Sequence, residues 1–131
     1  MEARELRIGN LVEYAGKTCA ILAINGFEPI QMECTLTLWD RTDYIECVIS
    51  DIRPIALTED SLTMLGFYQA YDFTPGIGEY SWWGNDFMAL TNAFSSKNLY
   101  GVEGVDGFAT NKVHVLQNLA YIVHGKELEW K

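Results

Sequence analysis

Lys112 to Gly125, K-V-H-V-L-Q-N-L-A-Y-I-V-H-G, is the stretch whose reading decides the fold. Set at about 100° per residue, Val113, Val115, Leu116, Leu119, Ala120, Ile122 and Val123 share one broad arc. His114, Gln117, Asn118, Tyr121 and His124 share the other. This spacing predicts a two-faced helix with its apolar arc in the core. Thr110 or Asn111 is placed to cap its start, and Gly125 to end it in the left-handed conformation.

The polar stripe of that helix is unusual in kind. It carries amides, imidazoles and a phenol where an exposed helix carries Lys and Glu. Such groups suit a partly buried surface whose hydrogen bonds are met by neighbours. Two readings stand: bonding to loops of the same chain, or a face for a partner or ligand. His114 and His124 are too far apart along the helix to share a metal ion, so neither a metal nor any other cofactor is expected.

Outward from the helix, the 131 residues fit a single domain, 1–131, with a β-rich part over 1–55 and a second part over 56–131. Apolar residues make up 49%, enough for a core. Net charge is −9, with the acids spread evenly along the chain. Phosphates would find no basic patch, so direct nucleic-acid binding is not expected. An anionic membrane is disfavoured for the same reason, and no segment is long enough to span a bilayer. The acidity fits a solvated surface or a basic protein partner. Cys19, Cys34 and Cys47 read as buried free thiols in a reducing compartment. Met1 to Arg7 is charged and no apolar run follows, so no secretory leader is expected.

The first half reads as strands of a small barrel. Glu5 to Gly16 is the first, with Ile8, Val12 and Tyr14 inward and a bend at Gly9-Asn10. Ala15-Gly16 makes a turn. Thr18 to Ile24 is nearly all apolar and reads as buried on both faces, and Asn25-Gly26 reads as the next turn. Met32 to Trp39 alternates, with Met32, Cys34, Leu36 and Leu38 on one face. A turn at Asp40 to Asp43 returns the chain, pairing Leu38 with Ile45, Leu36 with Cys47, Cys34 with Ile49, and Trp39 with Tyr44 on the outside. The Trp39/Tyr44 pair is either a binding spot or a brace for the hairpin. Asp40, Asp43 and Asp51 read as solvated turn residues.

Thr58 caps a short helix, Glu59 to Leu65, with Leu57 and Leu62 as a hydrophobic staple and Gly66-Phe67 as a Schellman stop. Residues 68–108 are rich in aromatics and punctuated by Gly and Asn. They predict three or four short strands near 68–73, 79–83, 86–91 and 98–103, with the last helix packed across them. Pro75-Gly76-Ile77-Gly78 reads as a hairpin turn, since no phosphate-binding motif follows it. Leu128 and Trp130 alternate with Glu127 and Glu129, which predicts a short edge strand. The fold class is therefore α+β: a small SH3-like or curled antiparallel β unit, then a helix, an antiparallel meander and a packed C-terminal helix.

A catalytic motif is not recognisable, and the chain reads as a non-enzyme. The partner-binding candidates are Trp82, Trp83, Tyr80, Tyr71 and Phe73, with Trp39 and Tyr44 on the first hairpin. In a strand, adjacent Trp82 and Trp83 point to opposite faces, so at most one lies under the helix. The other lies against the barrel unit or in solvent. In solvent it would join Tyr80, Tyr71 and Phe73 in an apolar patch rimmed by Asp72, Glu79 and Asp86.

Three pieces in order carry a resemblance: E-L-R-I-G-N-L-V at Glu5, P-I-x-L-T-E-D-x-L-x-x-L-G-F from Pro54 to Phe67, and V-H-V-L-Q-N-L-A-Y with H-G-K-E-L from Val113 to Leu128. Together they resemble a family of small uncharacterised proteins of bacteriophages and integrated mobile elements. The resemblance implies an accessory protein in the host cytoplasm. The expected function is binding of a protein partner, in one form as an inhibitor of a host defence system. Two alternatives stand beside it: a small-ligand binder that sequesters a signalling nucleotide, and a particle assembly protein. The aromatic stretch 68–100 departs from the family's usual look.

Overall fold

The computed structural model describes residues 3–28, 33–74, 78–91 and 99–130, with backbone alone at 3, 27–28, 70–74, 78–81 and 106. The chain is α+β, with two five-stranded antiparallel sheets and few helices. It divides into two compact units. The first is Met1–Ile55 with Val113–Leu119; the second is Ala56–Lys112 with Ala120–Lys131.

In the first unit a 3-10 turn at Ala3–Glu5 precedes β1 (Leu11–Tyr14), β2 (Lys17–Glu28), β3 (Glu33–Trp39) and β4 (Tyr44–Val48). A second 3-10 turn, Ile49–Asp51, leads to β5 (Ile52–Pro54). The sheet order is β4-β3-β2-β1-β5. Strand β5 returns to the free side of β1, pairing Tyr14 with Ile52 and Val12 with Pro54. Pro54 has no N–H to give, so an edge strand is where it belongs. Leu6, Val12, Cys19, Ile21, Leu36, Leu38, Cys47 and Ile52 form one buried cluster, with Tyr14, Ile45 and Ile49 packed against it.

The hairpin register is as expected: Leu38 faces Ile45, Leu36 faces Cys47 and Trp39 faces Tyr44. Pairing ends at Thr35 opposite Val48, so Cys34 does not reach Ile49, which starts the 3-10 turn. Asp40 is more than a solvated turn residue. Its carboxylate accepts the N–H of Thr42 and of Asp43, at 2.9 and 2.7 Å, and these bonds hold its pKa below the ordinary value. Asp51 likewise accepts the N–H of Val48.

Three further expectations for the strands of the first unit are corrected. Asn25-Gly26 is not a turn; β2 runs through it to Glu28. The register slips by one residue at Leu22 and again at Asn25, so the pair forms a bulge. Gly26 has φ 100°, and the Asn25 amide donates to Thr37 Oγ1 at 2.8 Å across the strands. Each bulge shifts which side chains face the core. Cys19 and Ile21 are fully buried, but Leu22 and Ile24 are exposed, so β2 is not buried on both faces. Ile8 is also exposed, because the chain from Arg7 to Asn10 bends and β1 begins only at Leu11. Met32 lies outside the described residues.

All three thiols are free, but only two are buried: Cys34 is half-buried. Burial raises the pKa of Cys19, and it pushes that of Cys47 up to about 11, with Asp51 adding to the shift.

In the second unit α1 (Glu59–Met64) is capped by Thr58, whose hydroxyl accepts the Ser61 N–H at 3.2 Å. Leu57 and Leu62, the expected staple, are both fully buried. Gly66 and Phe67 donate to the carbonyls of Thr63 and Leu62, which is the expected Schellman stop. The second sheet has the order β10-β9-β8-β7-β6. Its strands are β6 (Tyr68–Thr74), β7 (Gly78–Gly84), β8 (Ala89–Thr91), β9 (Tyr100–Val102) and β10 (Val105–Thr110). Among the described residues five strands form where three or four were expected, and the extra one is β10. Pro75 to Ile77 of the expected hairpin turn lie outside the described residues.

The last helix, α2, is Val113–His124. Lys112 is its N-cap without a side-chain bond, so neither Thr110 nor Asn111 caps it; Thr110 Oγ1 instead accepts the Lys112 N–H. Gly125 ends it as expected, at φ 66° with its N–H on the Tyr121 carbonyl. The buried positions are Val113, His114, Leu116, Gln117 and Ala120. That arc is turned by roughly one residue, about 100°, from the apolar arc. Ile122 and Val123 lie outside it and are exposed, Ile122 at 77%. All but Ala120 of the buried positions belong to the first unit. After it, Leu128 is buried and Trp130 half-buried, but no strand forms there.

Two outcomes check this arrangement. Leu116→Ala should cost about 2–5 kcal/mol in a denaturant melt, as other buried large-to-small changes do. Ile122→Ala should stay within about half a kcal/mol, as exposed changes do. With a thiol alkylating reagent at mildly alkaline pH, the folded protein should lose Cys34 first. Cys19 and Cys47 should follow only after denaturant is added, because both burial and protonation protect them. Mass spectrometry of the labelled peptides reads the order.

Candidate functional site

The polar stripe of α2 was one candidate, and the structure places most of it inside the first unit. Between Glu5 and Leu11 the chain bends, and the backbone groups of the bend need partners outside a ladder. The helix amides supply them. Gln117 Oε1 accepts the Leu11 N–H at 2.8 Å, and its Nε2 donates to the Gly9 carbonyl at 3.2 Å. Asn118 Nδ2 donates to the Glu5 carbonyl at 2.8 Å. Asn118 Oδ1 accepts from Arg7 Nε at 3.0 Å and from Asn10 Nδ2 at 2.8 Å. His114 is fully buried, with Nε2 3.6 Å from a Glu5 carboxylate oxygen. Gln117 and Asn118 therefore bond to loops of their own chain, His114 is buried beside Glu5, and only Tyr121 and His124 of the stripe are exposed.

The aromatic candidates divide by strand parity. Trp83 is 6% exposed; it pairs with Gln69 on one side and with Leu90, itself buried, on the other. Trp82, one residue earlier, is half-exposed and pairs with Ala70 and Thr91. One indole is core and its neighbour reaches the surface, as alternation requires. Tyr71, Phe73 and Tyr80 lie on β6 and β7, but their side chains fall outside the described residues, as do those of Asp72 and Glu79. Trp39 is half-buried, and Tyr44 opposite it is 74% exposed.

Trp82 opens onto a shallow depression of about 530 Å³. Tyr68, Trp82, Phe87, Met88 and Ala89 supply its apolar lining, and Asp86 and Glu103 its charges. Tyr68, missing from the expected set, is 58% exposed at the start of β6. Phe87, also missing from that set, is held by a turn built on Asn85. The Asn85 Oδ1 accepts the N–H of Phe87 at 3.0 Å and of Met88 at 2.8 Å, while its own N–H donates to the Met88 carbonyl. Gly84-Asn85 ahead of an aromatic was the signal for that presentation, since Asn fixes such turns through its side chain. A second depression, of about 180 Å³, adjoins the same turn and adds Leu65, Glu127, Leu128 and Glu129 to Tyr68, Asp86 and Phe87. Neither depression is lined by Lys or Arg.

Gly84 sets the pose of the exposed indole. A Cβ at this position would lie 2.6 Å from Trp82 Cζ3, so the six-membered ring lies directly over the glycine. Among the described residues, no three or more His, Cys, Asp and Glu side chains group to hold a metal ion. Among the same residues, no helix is long and apolar enough to cross a membrane.

No protein family, curated protein or solved structure matches the chain.

Gly84→Ala should displace the Trp82 ring. Its indole N–H resonance should shift while that of Trp83 moves little, and the overpacking should cost about 1–3 kcal/mol. An unshifted Trp82 resonance would show that the ring does not lie on the glycine.

Proposed function

We propose that the chain is a non-enzymatic accessory protein that binds a basic protein partner through the depression between Tyr68, Trp82 and Phe87. The observation that carries this reading is the lining: three aromatic side chains reach the surface beside Asp86 and Glu103, with no cation among the lining residues. Apolar patches with polar rims mark interaction sites, and Trp and Tyr are their usual anchors. The acidic rim and the net charge of −9 favour a basic surface and steer its approach. A phosphorylated ligand such as a signalling nucleotide would meet Asp86 and Glu103 there, with Lys126 over Phe87 as a single cation against them. The partner is therefore a protein rather than nucleic acid or membrane.

The phage-like resemblance gives this binding a setting in the host cytoplasm, with inhibition of a host defence system as its form. The first unit has the strand order and the 3-10 turn before β5 that suit an SH3-like unit. In this reading it serves as a scaffold, and the second unit carries the recognition surface.

The test is a pull-down with tagged protein from host lysate, followed by binding measurements on the captured protein. The partner should be basic, and its affinity should fall as salt rises. Tyr68→Ala and Trp82→Ala should each lower affinity at least about tenfold, as interface anchors do. Tyr68→Ala should leave the melting temperature nearly unchanged, since that ring is largely exposed. Full binding by both folded variants would overturn the reading.

A further inference from the structure

Phe87 lines both depressions and carries a cation of its own chain. Lys126 Nζ lies over the Phe87 ring, 5.5 Å from its centroid. The His124 ring meets Phe87 edge-on, with centroids 5.5 Å apart and an interplanar angle of 61°. Lys126 is exposed, and its neighbours along the chain, Glu127 and Glu129, line the smaller depression with Asp86. An ammonium ion over an aromatic face is held by the ring quadrupole, and an arginine is held at least as well. Carboxylates beside the ring add attraction for the same charge. The ring and the carboxylates therefore form one seat with a single preference.

We propose that the Phe87 ring and its flanking carboxylates are a seat for an arginine or lysine side chain of the basic partner, and that Lys126 fills this seat in the unbound chain. The proposal rests on the docking reading above and names the group that the surface reads. Binding then exchanges one cation for another. Lys126 swings into solvent, and the partner's side chain takes its place on the ring. The cost of displacing Lys126 weakens attachment of any partner that lacks a matching cation, so the lysine acts as an internal competitor.

The probe is a short oligoarginine peptide, titrated into the full chain by calorimetry at low and at physiological salt. Lys126→Gln should tighten binding by about two- to five-fold beyond the gain from Lys112→Gln. Lys112 is an exposed lysine of the same unit, so its change removes the same charge elsewhere. Phe87→Leu keeps an apolar side chain and removes the ring. It should weaken binding and abolish the extra gain from Lys126→Gln in the double variant. Equal gains from the two lysine variants, or an undiminished Lys126 effect on the Phe87→Leu background, would overturn the seat. Circular dichroism confirms that each variant is folded. The two readings fail separately: loss of the captured partner by Tyr68→Ala with no Lys126–Phe87 coupling removes the seat alone, and retention by Tyr68→Ala and Trp82→Ala removes the docking surface.

Discussion

Two neighbouring amides, Gln117 and Asn118, set the arrangement of the first unit. The chain from Glu5 to Leu11 bends before it becomes a strand, and its carbonyls at Glu5 and Gly9 and its N–H at Leu11 find their partners on those side chains. A buried backbone group left unpaired costs about 1–3 kcal/mol. The Leu11 N–H is buried outright and the two carbonyls in part, and pairing all three offsets the loss of Ile122 and Val123 from the core. The helix therefore presents its amides inward and gives up part of its apolar arc. The exposure of Ile122 and the burial of His114 both follow from that rotation.

What was legible in the sequence was local. The 39–44 hairpin, the Thr58 cap and the stop at Gly66-Phe67 each depend on residues within a few positions of one another, and each formed as read. The orientation of α2 was not legible, because its determinants lie more than a hundred residues away, between Glu5 and Leu11. Nor was the course of β2. Asn-Gly favours a tight turn when two strands are free to pair across it, but here β3 supplies a longer partner and the same backbone preference is spent on a bulge. At the candidate site, parity separated Trp82 from Trp83 without identifying which was buried. Leu90 decides that, by standing opposite Trp83 on β8. Tyr68 and Phe87 escaped notice because an aromatic-rich stretch carries no internal contrast; only the Asn85 turn distinguishes Phe87 from its neighbours.

The second unit uses its aromatics in two ways. Trp83, Phe67 and Tyr100 are buried, and burial raises the Tyr100 phenol pKa. Tyr68, Trp82 and Phe87 are left at or near the surface, two of them next to the Gly84-Asn85 turn. The second unit buries the first three rings together with Leu57, Leu62, Leu65, Met88, Leu90 and Leu128, and strand alternation sends neighbouring rings outward. The proposed recognition surface is in this sense a by-product of strand alternation, and the turn at Asn85 gives it its shape.

The partition of the chain has a consequence for its synthesis. Residues 56–112 are nested inside the first unit, whose last piece is Val113–Leu119. A growing chain thus makes the β-strands of the first unit early but releases Gln117 and Asn118 only after the strands of the second sheet. Until then the bend at Glu5–Leu11 must satisfy its backbone with water. The second sheet, by contrast, is complete in sequence once β10 has emerged. Vectorial synthesis normally lets the N-terminal part of a protein fold first. Here the first unit waits for Val113–Leu119 and the second for Ala120–Lys131, so the second sheet is the one part whose strands are all made before either unit is complete.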